Sequence, residues 1–340
     1  MTWFEKLTGC IEESPESVRQ QLWIDERRLH SRLNGQSWLF GELETPTLAQ
    51  LRQRVRQISR KSEPVSVREI VANVQHLHRD QENANAVFQV ASQFNLLEMI
   101  SPRVRPECGI GIYENDLTQG PACAIAAGAG TIYRNYFAVV NGRIGQTENN
   151  QIDCLSGIAA LLDNAQQQLW RMVNGYALPS AEGLEKINQK LDNMDEAALD
   201  AVRQALQIGL HWDTQVTLDG ASHTVCQAFC SAMPVAYTSH PQERWAPLAQ
   251  LVLEAAYEAT ICAAILNTDR NQNNQLFLTL LGGGAFGNNR DWIMSAIRRS
   301  LELYSDSGLD VSIVNYGSSS YFVQQLVDEF AQTNRNKTDG

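Results

Sequence analysis

Gln275-Leu276-Phe277-Leu278-Thr279-Leu280-Leu281 is an apolar run of strand type, and it passes directly into Gly282-Gly283-Gly284-Ala285-Phe286-Gly287-Asn288-Asn289. Trp292-Ile293-Met294-Ser295-Ala296-Ile297 then follows with the periodicity of an amphipathic helix. A buried strand, four glycines in six residues and a helix form the order in which backbone N–H groups can surround a phosphate. The same glycines would also serve a plain tight turn between strand and helix, and the segment alone does not separate the two. It lacks the lysine and Ser/Thr of a P-loop, which argues against nucleoside-triphosphate hydrolysis of that kind. It also lies late in the chain with no opening βαβ unit of matching spacing, which argues against a dinucleotide fingerprint.

A chain of 340 residues with 44% hydrophobic and 19% charged residues has enough apolar surface for a large core, arranged as one enlarged domain or two ordinary ones. The net charge of −11 argues against a nucleic-acid duplex as partner, because phosphate-backbone binding needs a basic stripe. The densest basic stretch, residues 52–61, reads as the solvated face of a helix. No apolar stretch approaches the roughly 18 residues needed to cross a bilayer, and the first residues lack a signal-peptide pattern. The expectation is a cytoplasmic protein with no membrane partner. Seven cysteines, an odd number spread over the chain, do not form a disulfide framework and are expected to be mostly reduced and buried.

Helical periodicity marks residues 15–60, through Val18, Leu22, Ile24, Leu29 and then Leu48, Leu51, Val55 and Ile58. Residues 1–62 are therefore expected to be a helical extension. Residues 65–71 and 87–91 are β-branched or aromatic and read as strands. Residues 149–208 read as a helical insertion with a central break at Asn174-Gly175. Strand character returns at residues 214–218 and 224–229, and a long helix is expected over residues 245–266. The glycine-loop strand, another helix and a strand at residues 311–316 complete the pattern. Strands alternating with helices imply an α/β sheet, in which ligands bind where strand ends meet helix N-termini.

Three other constellations carry chemistry. Glu107, Glu114 and Asp116 stand within ten residues of one another in a glycine-bearing loop, and such carboxylates can act as general acid or base, orient a ribose hydroxyl or stabilise positive charge at an anomeric carbon. Solvated loop acids are the plain alternative, and Asp116 ranks first because Thr118-Gln119-Gly120-Pro121 would pin its loop. Arg134, in Tyr133-Arg134-Asn135-Tyr136-Phe137, can pair with a diphosphate, hold an acidic residue in place, or simply form a structural salt bridge at a strand edge. His76 with His78, and Cys226 with Cys230, have metal-like spacings but no convincing partner ligands. No metal and no cofactor are expected.

In order along the chain, these residues resemble the macrodomain superfamily, and within it the divergent branch of poly(ADP-ribose) glycohydrolases and arginine-directed ADP-ribosylhydrolases. The resemblance covers residues 65–137 and 211–330. It implies a three-layer mixed sheet with helices on both faces, forming one α/β domain over residues 63–340. By that likeness, residues 87–95 match the central strand whose terminal asparagine contacts the distal ribose, making Asn95 the counterpart, with Gln93 beside it. Residues 107–130 stand in the place of the first phosphate and catalytic loop, with Gln119 and Gly120 as ligand contacts. The adjacent glycines and paired glutamates of the glycohydrolases are absent there. Residues 278–289 match the second diphosphate loop, with Gly282, Gly283, Gly284, Ala285, Gly287 and Asn288 around the diphosphate and Phe286 near the distal ribose. Asn315 and Tyr316 match positions directed toward adenosine.

The resemblance thus implies a protein that binds ADP-ribose and hydrolyses an ADP-ribosyl linkage on protein, with the arginine-type N-glycosidic bond favoured. Asp116, with Glu107 or Glu114, would assist cleavage. A non-catalytic reader or sensor of ADP-ribose or a related nucleotide shares the same diphosphate site and is the competing expectation.

Overall fold

The structure is a computed structural model, and it describes residues 1–338. The chain opens with α1 (Trp3–Thr8) and α2 (Pro15–Gln21), then a small antiparallel sheet of β1 (Leu22–Asp25), β2 (Arg28–Ser31) and β3 (Ser37–Leu39). Next come β4 (Glu42–Glu44), α3 (Leu48–Gln57), β5 (Ser66–Val71), α4 (Val74–Arg79) and β6 (Val87–Ala91). Short turns lead to α5 (Gln119–Ala126) and α6 (Gly128–Ile132), followed by the hairpin of β7 (Val139–Val140) and β8 (Arg143–Ile144). α7 (Ser156–Leu161) precedes a second hairpin, β9 (Trp170–Val173) with β10 (Tyr176–Pro179), and then α8 (Ala181–Asp192) and α9 (Glu196–Gln204). The last part runs β11 (Gly209–Gln215), β12 (Thr224–Cys230), α10 (Gln242–Asn271), β13 (Gln275–Leu278), α11 (Arg290–Leu303), β14 (Asp310–Asn315) and α12 (Tyr321–Thr338).

Seven strands form the main sheet in the order β4-β11-β12-β6-β13-β14-β5. The five from β12 to β5 are parallel, while β11 and β4 add an antiparallel edge. Such central parallel strands are covered on both faces and so carry continuous apolar runs. Val87, Phe88 and Val90 of β6 are all buried, and Phe88 stacks on Phe277 of β13 with ring centroids 4.5 Å apart. α10 crosses one face against β12, β6 and β13, flanked by α3, α8, α9 and α11; α4, α5 and α6 cover the other. The fold is therefore the expected mixed α/β sheet between helical layers.

α10 corrects one expectation about apolar length. By length and composition it is long and apolar enough to cross a membrane, yet 89% of its apolar window is buried inside the fold. It reads as the central core helix, apolar all round because other elements surround it. Its Glu258 is buried with ion pairs to Arg52 at 2.5 Å and Arg299 at 2.8 Å, so the charge tethers α3 and α11 to the core helix.

Some local readings also change. Ile24 and Leu29, which fit a helical period, lie in β1 and β2, where they pair across a two-residue turn with Glu26 at a φ of 48°. His76 and His78 sit on α4 and not on a strand. His78 is buried, stacks on Phe88 and meets the Gln227 amide, so it serves packing. Residues 133–137 form a π-helical turn where a strand edge was one reading. Six of the seven cysteines are buried and all are free. Among the described residues, no group of three or more His, Cys, Asp or Glu side chains is placed to hold a metal.

Candidate active site

At the carboxyl edge of the parallel strands a cavity of about 490 Å³ opens between the ends of β6 and β13 and the N-terminus of α5. Its volume falls within the ~300–1,000 Å³ typical of small-molecule sites. One wall is the glycine loop, with Gly282, Gly284, Ala285 and Phe286 lining the space. The loop is pinned at its start by Tyr257 of α10, whose hydroxyl donates to Thr279 O at 2.7 Å and accepts from Leu281 N at 2.8 Å. It is closed at its end by Asn288, whose backbone N–H reaches Gly282 O and whose side chain donates to Met233 O. Gly283 N–H and Gly287 N–H bond within the loop. The N–H groups of Gly282, Gly284, Ala285 and Phe286 have no acceptor among the described residues, so they stand as open donors in the loop that walls the cavity.

Not every residue of that loop faces the cavity. A Cβ on Gly287, which has a φ of 68°, would sit 2.8 Å from Ala236 Cβ, and one on Gly283 would press on Ile293. These two glycines therefore answer to packing and turn geometry, and Asn288 to bracing.

The opposite wall comes from residues 115–121. Asp116 accepts from Thr118 N at 2.9 Å through Oδ1, a short turn that aligns the start of α5. Its Oδ2 has no protein partner among the described residues. Gln119 lines the cavity, but its amide is committed to β6: it donates to Gln89 O at 2.8 Å and accepts from Ala91 N at 2.9 Å. Gly120 lets α5 approach the strand, since a Cβ there would lie 2.0 Å from Ala91 O.

The floor holds a carboxyl that the sequence reading passed over. Glu98 lines the cavity at only 3% exposure, and neither of its oxygens has a hydrogen-bond partner among the described residues. Its backbone N–H donates to the Tyr113 hydroxyl at 3.0 Å. Gln93, also lining the cavity, fixes the same turn by accepting from Met99 N at 2.8 Å. Burial pushes the Glu98 carboxyl up to about 8, while the Arg134 charge and the Tyr113 hydroxyl pull the other way. Arg134 is fully buried with its Nη2 3.6 Å from Glu98, and it donates to Leu96 O and Thr131 Oγ1, each at 3.1 Å. Of the roles open to this arginine, holding an acidic residue in place fits; it does not line the cavity.

Three aromatics complete the enclosure. Tyr176, Tyr237 and Phe286 all line it, with ring centroids 4.9–5.5 Å apart. Such a cluster offers a ring surface for stacking. Tyr176 is carried in by the β9–β10 hairpin, from the segment read as a helical insertion outside the site.

Other sequence-predicted residues lie elsewhere. Asn95 does not line the cavity: fully buried, it donates to Gln151, which in turn donates to Asn174 at the hairpin turn. Its role is to dock the hairpin that carries Tyr176. Glu114 accepts from Trp3 N at 2.8 Å at the start of α1, and Glu107 accepts from Glu148 N at 3.0 Å, so neither carboxylate joins Asp116. Asn315 donates to Glu69 at the end of β14, and Tyr316 is 82% exposed; both share the sheet edge but stand outside the cavity.

No family model matches the chain, and no curated protein matches it either. Among solved structures it is similar to poly(ADP-ribose) glycohydrolase from Deinococcus radiodurans in complex with ADP-ribose, at 11% identity over 86% of this chain and 94% of that one, with a TM-score of 0.46. It is also similar to poly(ADP-ribose) glycohydrolase from Thermomonospora curvata, at 10% identity over 93% of this chain and 95% of that one, with a TM-score of 0.45.

Proposed function

We propose that this chain binds ADP-ribose in the cavity at the carboxyl edge of the sheet and hydrolyses an ADP-ribosyl linkage carried by a protein. The observation that carries this reading is the glycine loop: four open N–H donors in one loop of the cavity wall, at the head of a helix, suit a diphosphate without any lysine or metal. On a chain of net charge −11, such local donors supply the attraction that the overall charge does not. The aromatic cluster of Tyr176, Tyr237 and Phe286 offers flat faces for a nucleoside or ribose.

In this reading Asp116 is the base. Its free Oδ2 accepts a proton from the water that attacks the anomeric carbon, while Oδ1 stays tied to the start of α5. Within the ADP-ribosyl class, the sequence resemblance makes the arginine-type N-glycosidic bond on protein the first linkage to assay.

The test is calorimetry with ADP-ribose, ADP, AMP and NAD, followed by release of ADP-ribose from an arginine-modified protein. Asp116→Ala is expected to retain ADP-ribose affinity and to lose about 100-fold or more in turnover. Absence of heat with ADP-ribose would sink the reading. Binding with no release from any conjugate would leave a sensor in place of an enzyme.

A further inference from the structure

We infer that Glu98 is the proton donor to the leaving group at the scissile ADP-ribosyl bond. The inference rests on the hydrolytic reading above and adds to it the residue that completes the chemistry. Asp116 can take a proton from water, but the atom departing from the anomeric carbon also needs one, and a second carboxyl must supply it.

The geometry singles out Glu98. Among the described residues it is the other carboxyl lining the cavity, and its backbone is fixed from both sides by Tyr113 and by the Gln93–Met99 bond. The side chain is 3% exposed, neither oxygen has a hydrogen-bond partner among the described residues, and the nearest ion-pair contact, Arg134 at 3.6 Å, is longer than a hydrogen bond. Burial outweighs the Arg134 charge and the Tyr113 hydroxyl that face it, so the carboxyl is held as the neutral acid, which is the form that can give a proton. The titratable groups facing it are Tyr113, Cys123 and Arg134, with Asp116 across the cavity. Burial holds Tyr113 and Cys123 well above their ordinary values and hence neutral. Arg134 is then the charge that receives the carboxylate once the proton has left, at 3.6 Å.

The step balances. Water oxygen bonds to the anomeric carbon as its proton passes to the Asp116 carboxylate. The electrons of the breaking bond go to the leaving oxygen or nitrogen, which takes the Glu98 proton. Solvent then returns a proton to Glu98 and removes one from Asp116.

The experiment compares full-length wild type, Glu98→Gln and Glu98→Asp on two substrates: an ADP-ribosylated protein, and an ADP-ribosyl 4-nitrophenyl glycoside whose phenolate departs without protonation. Glu98→Gln is expected to lose about 100-fold in kcat on the protein conjugate. It should stay within about tenfold of wild type on the nitrophenyl glycoside and bind ADP-ribose unchanged. Glu98→Asp should recover part of the lost rate, and wild-type kcat/KM on the protein conjugate should fall as pH rises through about 8. Equal losses on both substrates would overturn the assignment, as would an unchanged kcat on the conjugate. Wild type that binds no ADP-ribose would instead remove the hydrolytic reading, and this inference with it.

Discussion

At the scale of the residue, the environment of Glu98 decides both its chemistry and its cost. Its carboxyl is held up to about 8 by burial, so the folded protein keeps a proton that the unfolded chain releases above about 4.5. The stability tied to that proton is fully present below about 4.5 and is lost as pH rises to about 8. Glu98→Gln removes the titration while keeping the shape of the neutral acid. The unfolding free energy of Glu98→Gln relative to wild type should therefore grow by on the order of 1.4 kcal/mol per pH unit across that window and level off above it. Urea unfolding at a series of pH values measures this, and parallel curves for the two proteins would contradict it. Glu98 was illegible in the sequence because Leu96-Leu97-Glu98-Met99-Ile100 reads as an apolar run with one polar interruption. That lone carboxyl beside Leu96, Leu97 and Met99, all buried, was the available signal. Asn95 misled for the converse reason: position at a strand end does not say whether a side chain turns to the cavity or to the hairpin behind it.

At the scale of the element, the site is built from strand ends and the turns that follow them. β6 and β13 were readable because parallel interior strands need unbroken apolar runs, and the loop after β13 because a strand, glycines and a helix form a local pattern. The β9–β10 hairpin was not. Its strands have four residues each, and although Asn174-Gly175 between Trp170-Arg171-Met172-Val173 and Tyr176-Ala177-Leu178 is a hairpin signal, the more polar helical pattern on either side makes it read as a break between helices. Tyr176 was missed with it. The role of the glycine loop is testable at Ala285, which is exposed and walls the cavity, so that a longer side chain has room. Ala285→Glu sets a negative charge among the open N–H donors. We expect ADP-ribose affinity to drop by about tenfold or more, at least 1.4 kcal/mol, with the thermal midpoint nearly unchanged, since exposed substitutions are usually within about 0.5 kcal/mol. Calorimetry and a melting curve on the same sample separate the two, and undiminished affinity would remove the loop from the site.

At the scale of the whole molecule, segments far apart in sequence converge on the 106–118 stretch that bears Tyr113 and Asp116. The N-terminal residues brace it from outside: the Glu12 carboxylate accepts from Ile110 N at 2.9 Å, Gly111 N at 2.7 Å and the Tyr136 hydroxyl at 2.6 Å. The Trp3 indole donates to Ile110 O at 2.9 Å, and Glu114 receives Trp3 N. Burial pushes the Glu12 carboxyl upward even against these three bonds, so the contact is itself partly desolvated. Removing the carboxylate leaves two N–H groups and one hydroxyl without an acceptor, and a buried donor left unpaired costs about 1–3 kcal/mol. Glu12→Ala should therefore lower the unfolding free energy by about 2–5 kcal/mol in urea titrations. Where the protein remains folded, the two sides of the cavity should respond differently. The stretch that Glu12 braces carries Asp116 and the Tyr113 contact to Glu98, whereas the diphosphate donors sit on a loop pinned by Tyr257 and Asn288. Turnover is then expected to fall by about tenfold with ADP-ribose affinity near wild type, read as kcat against Kd on the same preparation. A proportional loss of both would mean that the N-terminal segment supports the molecule at large and not the catalytic side of the cavity.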